Sequence, residues 1–186
     1  SETDSLNYGL KFDSQEIVCS DSFSFCEGYS DQYGKTSNSV IASMGWTHNS
    51  TNAFYFPTKG HKTNLSFEAV VPSTSETPFY KVYANESWYQ PLTDNFTLQL
   101  KSGVSFGDGY GDIDELPFYE KFYAGGIGTV RGFEPNSLGD VYDLTTDGSD
   151  SPKGGSVKIT GTAGVVFPVP FIEDSSNARI SLFFDF

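Results

Sequence analysis

One arginine stands in an unusual setting, in the segment "FYAGGIGTVRGFEPNSLG" between Phe122 and Gly139, which is typical of neither a strand nor a helix. The glycines of this segment favour sharp turns and close packing of the backbone. Arg131 lies in the middle, and a guanidinium keeps its charge and offers a planar fork of N–H donors that matches a carboxylate. The segment alone leaves two possibilities open: an arginine that binds an acidic partner, and one that is solvated on a surface loop.

The chain has two cysteines, Cys19 and Cys26, and both lie in the short acidic, serine-rich stretch "IVCSDSFSFCEG". Their proximity predicts a disulfide within one loop, and therefore an oxidising compartment; the alternative is a pair of unrelated thiols. A zinc site would need more ligands nearby, whereas the two histidines, His48 and His61, lie far along the chain.

No other stretch indicates a site for chemistry. The four aspartates of "DVYDLTTDGSDSPKGG" lack the spacing of an EF-hand calcium loop and are typical of a solvated acidic surface. The sequence contains no nucleophile elbow, no phosphate-cradling glycine loop and no histidine-based metal motif. We therefore expect no catalysis, no metal and no cofactor.

Length and charge narrow the class of protein. The 186 residues are enough for one domain with a sizeable core. A formal net charge of −13 argues against a nucleic-acid partner, because phosphate binding requires a basic face. No run of about 18 apolar residues is available for a membrane-spanning helix. The start "SETDSLNYGL" has neither an initiator Met nor a signal-peptide core, so we expect an excised or mature segment.

Apolar and polar residues alternate with a period of two through most of the chain, in pieces separated by turn-forming residues. This alternation predicts seven strands, at roughly residues 6–18, 38–49, 61–72, 79–90, 95–107, 155–167 and 178–186. A connection of about 45 residues, 107–154, separates the fifth strand from the sixth. Most loops are far shorter, so we expect this one to be functional or disordered.

Two all-β architectures produce such a pattern. In a soluble sandwich the apolar face packs on a second sheet, whereas in an outer-membrane barrel it meets lipid and the polar face lines a lumen. Strands of about 12 residues fit a tilted membrane span better than sandwich strands of about 5 or 6. Aromatic residues near the strand ends, such as Trp46, Trp88 and Tyr89, fit the girdles at a membrane interface. We expect lipid contact for Leu65, Phe67, Ala69, Leu98, Leu100, Ile180, Leu182 and Phe184, and a lumen-facing position for Ser66, Glu68, Gln99, Lys101 and Asp185.

Several long stretches resemble the BamA family, the barrels that insert other barrels into bacterial outer membranes. The sixth extracellular loop of the family resembles "GDGYGDIDELPFYEKFYAGGIGTVRGFEPNSLGD". Its strands and turns resemble "MGWTHNSTNAFYFPTKGHKTNLSFEAVVP", "FYKVYANESWYQPL" and "GGSVKITGTAGVVFPVPFIEDSSNARISLFFDF". The similarity covers nearly all of the chain after about residue 37, in the family's order. The Val-Arg-Gly-Phe tetrapeptide alone would be a weak signal, but its setting between two membrane-type strands is specific.

The resemblance implies the architecture. It implies an antiparallel transmembrane β-barrel segment of about seven strands, roughly half of a sixteen-stranded barrel, in the bacterial outer membrane. Residues 1–186 would form one partial barrel domain without the family's POTRA domains, and the long extracellular loop 107–154 would fold into the lumen. An ordinary bacterial barrel needs an even number of at least eight strands, so we expect a fragment.

The resemblance also implies the function, that of an insertase which folds β-barrel proteins into the outer membrane without nucleotide or cofactor. Its partners would be unfolded outer-membrane proteins, accessory lipoproteins, lipid and lipopolysaccharide. The alternatives that share the arginine loop are a TamA-like assembly factor and a two-partner-secretion transporter. From other classes, the alternatives are a passive outer-membrane pore, a surface adhesin and a soluble β-sandwich binding module.

The site residues follow from the same resemblance. In the family the arginine of the long loop contacts acidic groups on the inner wall of the barrel, so Arg131 is expected to pair with Asp185 and to latch the loop. A second acidic residue of the family, a glutamate, is replaced here by Gly164, which leaves Asp185 as the expected partner. The loop motif around the arginine comprises Tyr123, Gly125, Gly126, Val130, Gly132 and Phe133.

Overall fold

A computed structural model describes residues 3–19, 24–142, 151–170 and 178–186 of the chain. The long strands are β1 Asp4–Glu16, β2 Thr36–Asn49, β3 Gly60–Val70, β4 Phe79–Pro91 and β5 Thr97–Gly109, and, beyond the long loop, β8 Val157–Pro168 and β9 Arg179–Asp185. The smaller elements are helix α1 Ser24–Tyr33, a 3-10 turn Phe118–Glu120, and the short strands β6 Val141–Tyr142 and β7 Ser151–Pro152, which pair with each other. Each predicted strand is present, so the all-β prediction is confirmed.

The seven long strands form one antiparallel sheet in the order β1-β2-β3-β4-β5-β8-β9. Strands that are neighbours in the sequence are thus neighbours in space, and the sheet described is open rather than closed into a barrel. Consecutive connections leave from opposite ends of the sheet. One end carries the connection with α1, residues 71–78 and the long loop between β5 and β8, and the other carries the turns 50–59 and 92–96 and the connection from β8 to β9.

The register decides which residues share a face. Glu68 pairs with Lys81 and Lys81 with Gly107, so these three positions lie side by side on one face. Their strand neighbours point the other way, as Leu65 does beside Ala84. The residues expected to meet lipid all lie on this second face, which we call the outer face. Those expected to face the lumen lie on the first, the inner face.

The outer face is apolar and open. On β1, Leu6, Tyr8, Leu10 and Phe12 are between 71% and 93% exposed, and no described element covers them. The long loop lies instead on the inner face, where it completes a small buried cluster of Ile41, Val70, Phe79, Leu116 and Phe122. A row of exposed apolar side chains on this scale calls for an apolar environment, which lipid supplies to a barrel wall.

Two features differ from the sequence-based expectations. Helix α1 occupies part of the connection expected to be a loop; its ten residues include Gly28 and lack a strong apolar stripe. Tyr89 is buried on the inner face, because it directly follows Trp88 on β4 and successive residues of a strand point to opposite faces. Tyr89 therefore cannot belong to an outer aromatic girdle.

Some expectations concern residues outside those described. Most of the acidic segment, residues 143–150, and most of the last turn, residues 171–177, belong to this group. Among the described residues, no helix has the length and apolar composition needed to cross a membrane.

Candidate functional site

The loop that carries Arg131 is closed on itself by its own backbone. Ala124 and Leu138 form an antiparallel bridge, and the Leu138 amide donates to the Ala124 carbonyl over 3.1 Å. We call the enclosed residues 124–138 the tip of the long loop. Gly125 makes the first turn possible, because its φ is +112° and a Cβ there would lie 2.4 Å from the Glu134 carbonyl oxygen. Any larger residue would force the tip open.

Further hydrogen bonds fix the shape of the tip. The Gly125 amide donates to Thr129 Oγ1 over 2.8 Å, and the Thr129 amide donates to the Gly126 carbonyl over 3.1 Å. Val130 is buried at 6% exposure, and Gly132 takes a φ of +90° immediately after Arg131. The backbone is thereby fixed on both sides of Arg131, which directs its side chain toward the inner face of the sheet.

Arg131 binds the carboxylate of Asp185 on β9 through three donors. Its Nε donates to Asp185 Oδ2 over 2.6 Å, and Nη2 donates to Oδ1 over 2.7 Å. Its backbone amide also donates to Oδ2 over 3.0 Å. The two side-chain bonds form the parallel fork that arginine makes with carboxylates, which is stronger and more directional than a single bond. The side-chain hydrogen bond to Asp185 raises the pKa of Arg131.

Two neighbours complete the site. Thr162 Oγ1 on β8 donates to Asp185 Oδ1 over 2.8 Å, so both carboxylate oxygens are bonded. The Arg131 guanidinium carbon lies 3.2 Å from the centre of the Phe183 ring, a stacked cation–π arrangement. The Asp185 side chain is only 2% exposed, whereas that of Arg131 is 33% exposed. The carboxylate is therefore the enclosed partner, and the arginine covers it.

The ring of Phe183 contacts Arg131 near Gly164, the position at which the resemblance led us to expect a glutamate. Gly164 pairs with Phe183 across the β8–β9 ladder, and both lie on the inner face beside Arg131. A Cβ at position 164 would approach the Leu182 carbonyl oxygen to 3.0 Å and Phe183 Cβ to 3.3 Å. A side chain at 164 would thus crowd the backbone of β9 and the base of the Phe183 side chain. Here an aromatic surface supports the arginine at the place where the resemblance led us to expect a second carboxylate.

The other motif residues have different surroundings. Phe133 is 54% exposed, and Gly126 has a φ of +88° that suits the turn of the tip. Tyr123 precedes the tip and packs close to Gly154 on the returning limb of the loop. Cys26, in the first turn of α1, is joined to Cys19 by a disulfide at the end of the sheet from which the long loop leaves.

Sequence reasoning missed three groups of functional interest. Thr162 gave no signal, because it reaches Asp185 only once β8 and β9 are paired. Phe183 was overlooked although it lies two residues before Asp185 on the same face of β9, a relation that strand alternation could have shown. A third group, around Lys81 and Glu120, holds the beginning of the loop. These two residues are 39 positions apart, and no local spacing connects them.

The arrangement can hold a polypeptide segment by charge and hydrogen bonding. Its polar groups are already paired with one another, which suits a structural contact. Among the described residues, no group of three or more His, Cys, Asp or Glu side chains is placed to hold a metal ion.

Comparison with known proteins places this geometry in a family. A family model described as the Omp85 superfamily domain matches residues 1–186. The chain is 34% identical over 197 residues to the outer membrane protein assembly factor BamA of Neisseria meningitidis serogroup B, an alignment that covers 100% of this chain and 24% of that protein. It is 30% identical over 104 residues to the protein of the same name from Nitratidesulfovibrio vulgaris, covering 54% of this chain and 13% of that one. The chain thus spans about a quarter or less of the length of these relatives.

A solved structure shows the same fold. The crystal structure of BamA from Haemophilus ducreyi lacking POTRA domains 1-3 superposes with a TM-score of 0.82 and 28% sequence identity. The match covers 100% of this chain and 38% of that chain. These similarities confirm the resemblance noted from the sequence.

Proposed function

The chain belongs to the Omp85 superfamily, whose members are outer-membrane β-barrel proteins, and on that premise we propose that it forms part of the barrel wall of a BamA-type insertase. The complete protein would fold β-barrel proteins and insert them into the bacterial outer membrane without nucleotide or cofactor. Its partners would be unfolded outer-membrane proteins, accessory lipoproteins, lipid and lipopolysaccharide. The segment would supply the middle and later strands of the wall, and POTRA domains would lie elsewhere in the protein.

One observation carries the proposal: the long loop lies on the inner face of the sheet, with Arg131 bound to Asp185 through three hydrogen bonds. We propose that this pair, the latch, keeps the tip of the loop seated inside the barrel during assembly. A solvated loop arginine would not use its backbone amide and two side-chain nitrogens on one carboxylate that is 2% exposed.

The exposed outer face argues against a soluble sandwich. In a sandwich the apolar face would pack on a second sheet, yet the rows on β1 and β9 are open, with Leu10 at 76% and Leu182 at 70% exposure. A passive pore or an adhesin would keep the open outer face but would have no need for the latch. A TamA-like factor or a two-partner-secretion transporter remains the alternative that shares both features.

Assembly in liposomes tests the proposal. The full-length protein that contains this segment should speed the folding of a denatured outer-membrane barrel several-fold over protein-free liposomes, without ATP. Folding is measured by the shift in gel mobility of an unheated barrel. A passive pore would conduct ions and leave the folding rate unchanged. A two-partner-secretion transporter would instead move a soluble partner across the membrane, and either result would overturn the proposal.

A further inference from the structure

We propose that Lys81 is a second positioning residue for the long loop, which binds Glu120 near the start of the loop and acts separately from the latch at the tip. We call residues 115–122 the foot of the loop. The effect on assembly rests on the proposed function, whereas the seating of the foot does not.

Apolar packing brings the foot to the wall. Leu116 is 1% exposed and packs with Ile41, Val70 and Phe79 on the inner face. Gly107 leaves room for it, because a Cβ there would lie 3.2 Å from Leu116 Cδ2. After the buried Pro117, the 3-10 turn Phe118–Glu120 directs the Glu120 side chain toward β4.

At that point the buried ammonium group of Lys81 contacts two carboxylates. Lys81 Nζ bonds Glu120 Oε2 and lies 3.8 Å from Glu68 Oε1. The side chains of Lys81, Glu120 and Glu68 are 8%, 15% and 30% exposed, respectively. Without the lysine charge, two carboxylates that now share one cation would repel each other in a partly buried site. Glu120, which lies on the loop, is the partner that can leave.

Two further side chains bond the carboxylates of this centre. Tyr83 Oη donates to Glu68 Oε1 over 2.9 Å, and Gln15 Nε2 lies 3.4 Å from Glu120 Oε1. The rings of Phe79 and Phe122 lie 5.1 Å and 5.7 Å from Lys81 Nζ and shield it. Together these contacts join strands β1, β3 and β4 to the foot. Nearby charges are the Lys11–Asp13 pair on β1 and Lys158, whose Nζ lies 5.8 Å from the centre of the Phe122 ring.

The foot and the tip have separate attachments. Lys81 is on β4, whereas the latch uses Asp185 on β9. At the end of the foot, the Phe122–Gly155 bridge ties the outgoing limb of the loop to the returning limb, with hydrogen bonds of 2.8 Å and 2.9 Å. The loss of one attachment should therefore free one region and leave the other seated.

Hydrogen exchange of the full-length protein in detergent micelles tests this separation. The Glu120→Gln substitution keeps the shape of the side chain and removes its charge. We expect it to speed amide exchange in residues 115–122 about tenfold and to leave residues 124–138 unchanged. Arg131→Ala should do the reverse. The matched control is Glu115→Gln. Glu115 lies on the same foot and contacts Lys121 over 3.7 Å, but its side chain is 82% exposed, so the loss of its charge should change little.

A charge exchange tests whether the contact is direct. Lys81→Glu places three carboxylates together and should release the foot, whereas the double variant Lys81→Glu/Glu120→Lys restores one cation among them and should restore slow exchange. If Lys81→Glu does not fold, the Glu120→Gln result decides. Unchanged exchange in the foot of Glu120→Gln, an equal rise in foot and tip, or no rescue in the folded double variant would overturn the proposal.

The two proposals can fail separately. If Glu120→Gln frees the foot but the wild-type protein does not speed barrel folding in liposomes, the proposed function fails and the Lys81 contact stands. If wild-type assembly is active and Glu120→Gln leaves the foot protected, the Lys81 proposal fails alone.

Discussion

Replacement of Arg131 by alanine tests the latch directly. It removes two of the three hydrogen bonds to Asp185 and the stack on Phe183, while the backbone amide and Thr162 still donate to the carboxylate. Breaking a buried ion pair commonly costs about 3–5 kcal/mol. Because Arg131 is one-third exposed and Asp185 keeps two donors, we expect a loss of about 2 kcal/mol in the free energy of unfolding.

A double-mutant cycle in detergent micelles, measured by denaturant unfolding of the full-length barrel, isolates the pair. Arg131→Ala and Asp185→Ala should each destabilise the barrel, and the double variant should be little worse than either single one, because both remove the same interaction. Strictly additive losses would refute the latch. Lys101→Ala serves as the control, since Lys101 is exposed on the same inner face. Arg131→Lys should recover only part of the stability, because lysine lacks the planar fork.

Three further perturbations probe the neighbouring features. Leu65→Arg, on the outer face in the middle of β3, should cost about 2–4 kcal/mol in the free energy of unfolding, while Ser66→Arg on the inner face should cost much less; equal costs would contradict the assigned facing. Reduction of the Cys19–Cys26 disulfide should speed hydrogen exchange in α1, and two free thiols in unreduced protein, found by mass spectrometry, would contradict the bond. Gly164→Glu should lower the unfolding midpoint because its side chain competes with Phe183, and Gly164→Glu/Phe183→Ala should recover part of the loss; no recovery would mean that the ring and the carboxylate are not alternatives.

The strands could be predicted from the sequence because each obeys a local rule. Alternation along β3 fixes which side chains share a face before any partner is known, and the observed register agrees. Helix α1 could not be predicted by such a local rule, since it is held in part by contacts with residues distant in the sequence. Its Tyr29 ring packs edge-on against Phe118 at 5.1 Å, and the disulfide ties its first turn to the end of β1.

The site was only partly accessible to sequence reasoning. Arg131 and Asp185 could be named because the chain resembles a family in which such residues meet. The supporting contact from Thr162 could not, since Thr162 reaches Asp185 only through the pairing of β8 with β9. The Lys81–Glu120 contact could not be predicted from the sequence either. A lysine on the polar face of a strand is common, and nothing in the sequence shows that a loop covers this one.

The two attachments of the long loop become available at different stages of folding. Lys81 precedes Glu120 by 39 residues and lies on β4, which comes before the loop in the chain, whereas Asp185 follows Arg131 by 54 residues and lies on β9. The foot can thus seat on the hairpins before β9 has paired, but the tip must wait for it. Pulsed hydrogen exchange during refolding should protect residues 115–122 before residues 129–132, and simultaneous protection would contradict this order. A seated tip therefore indicates that β9 has already paired with β8.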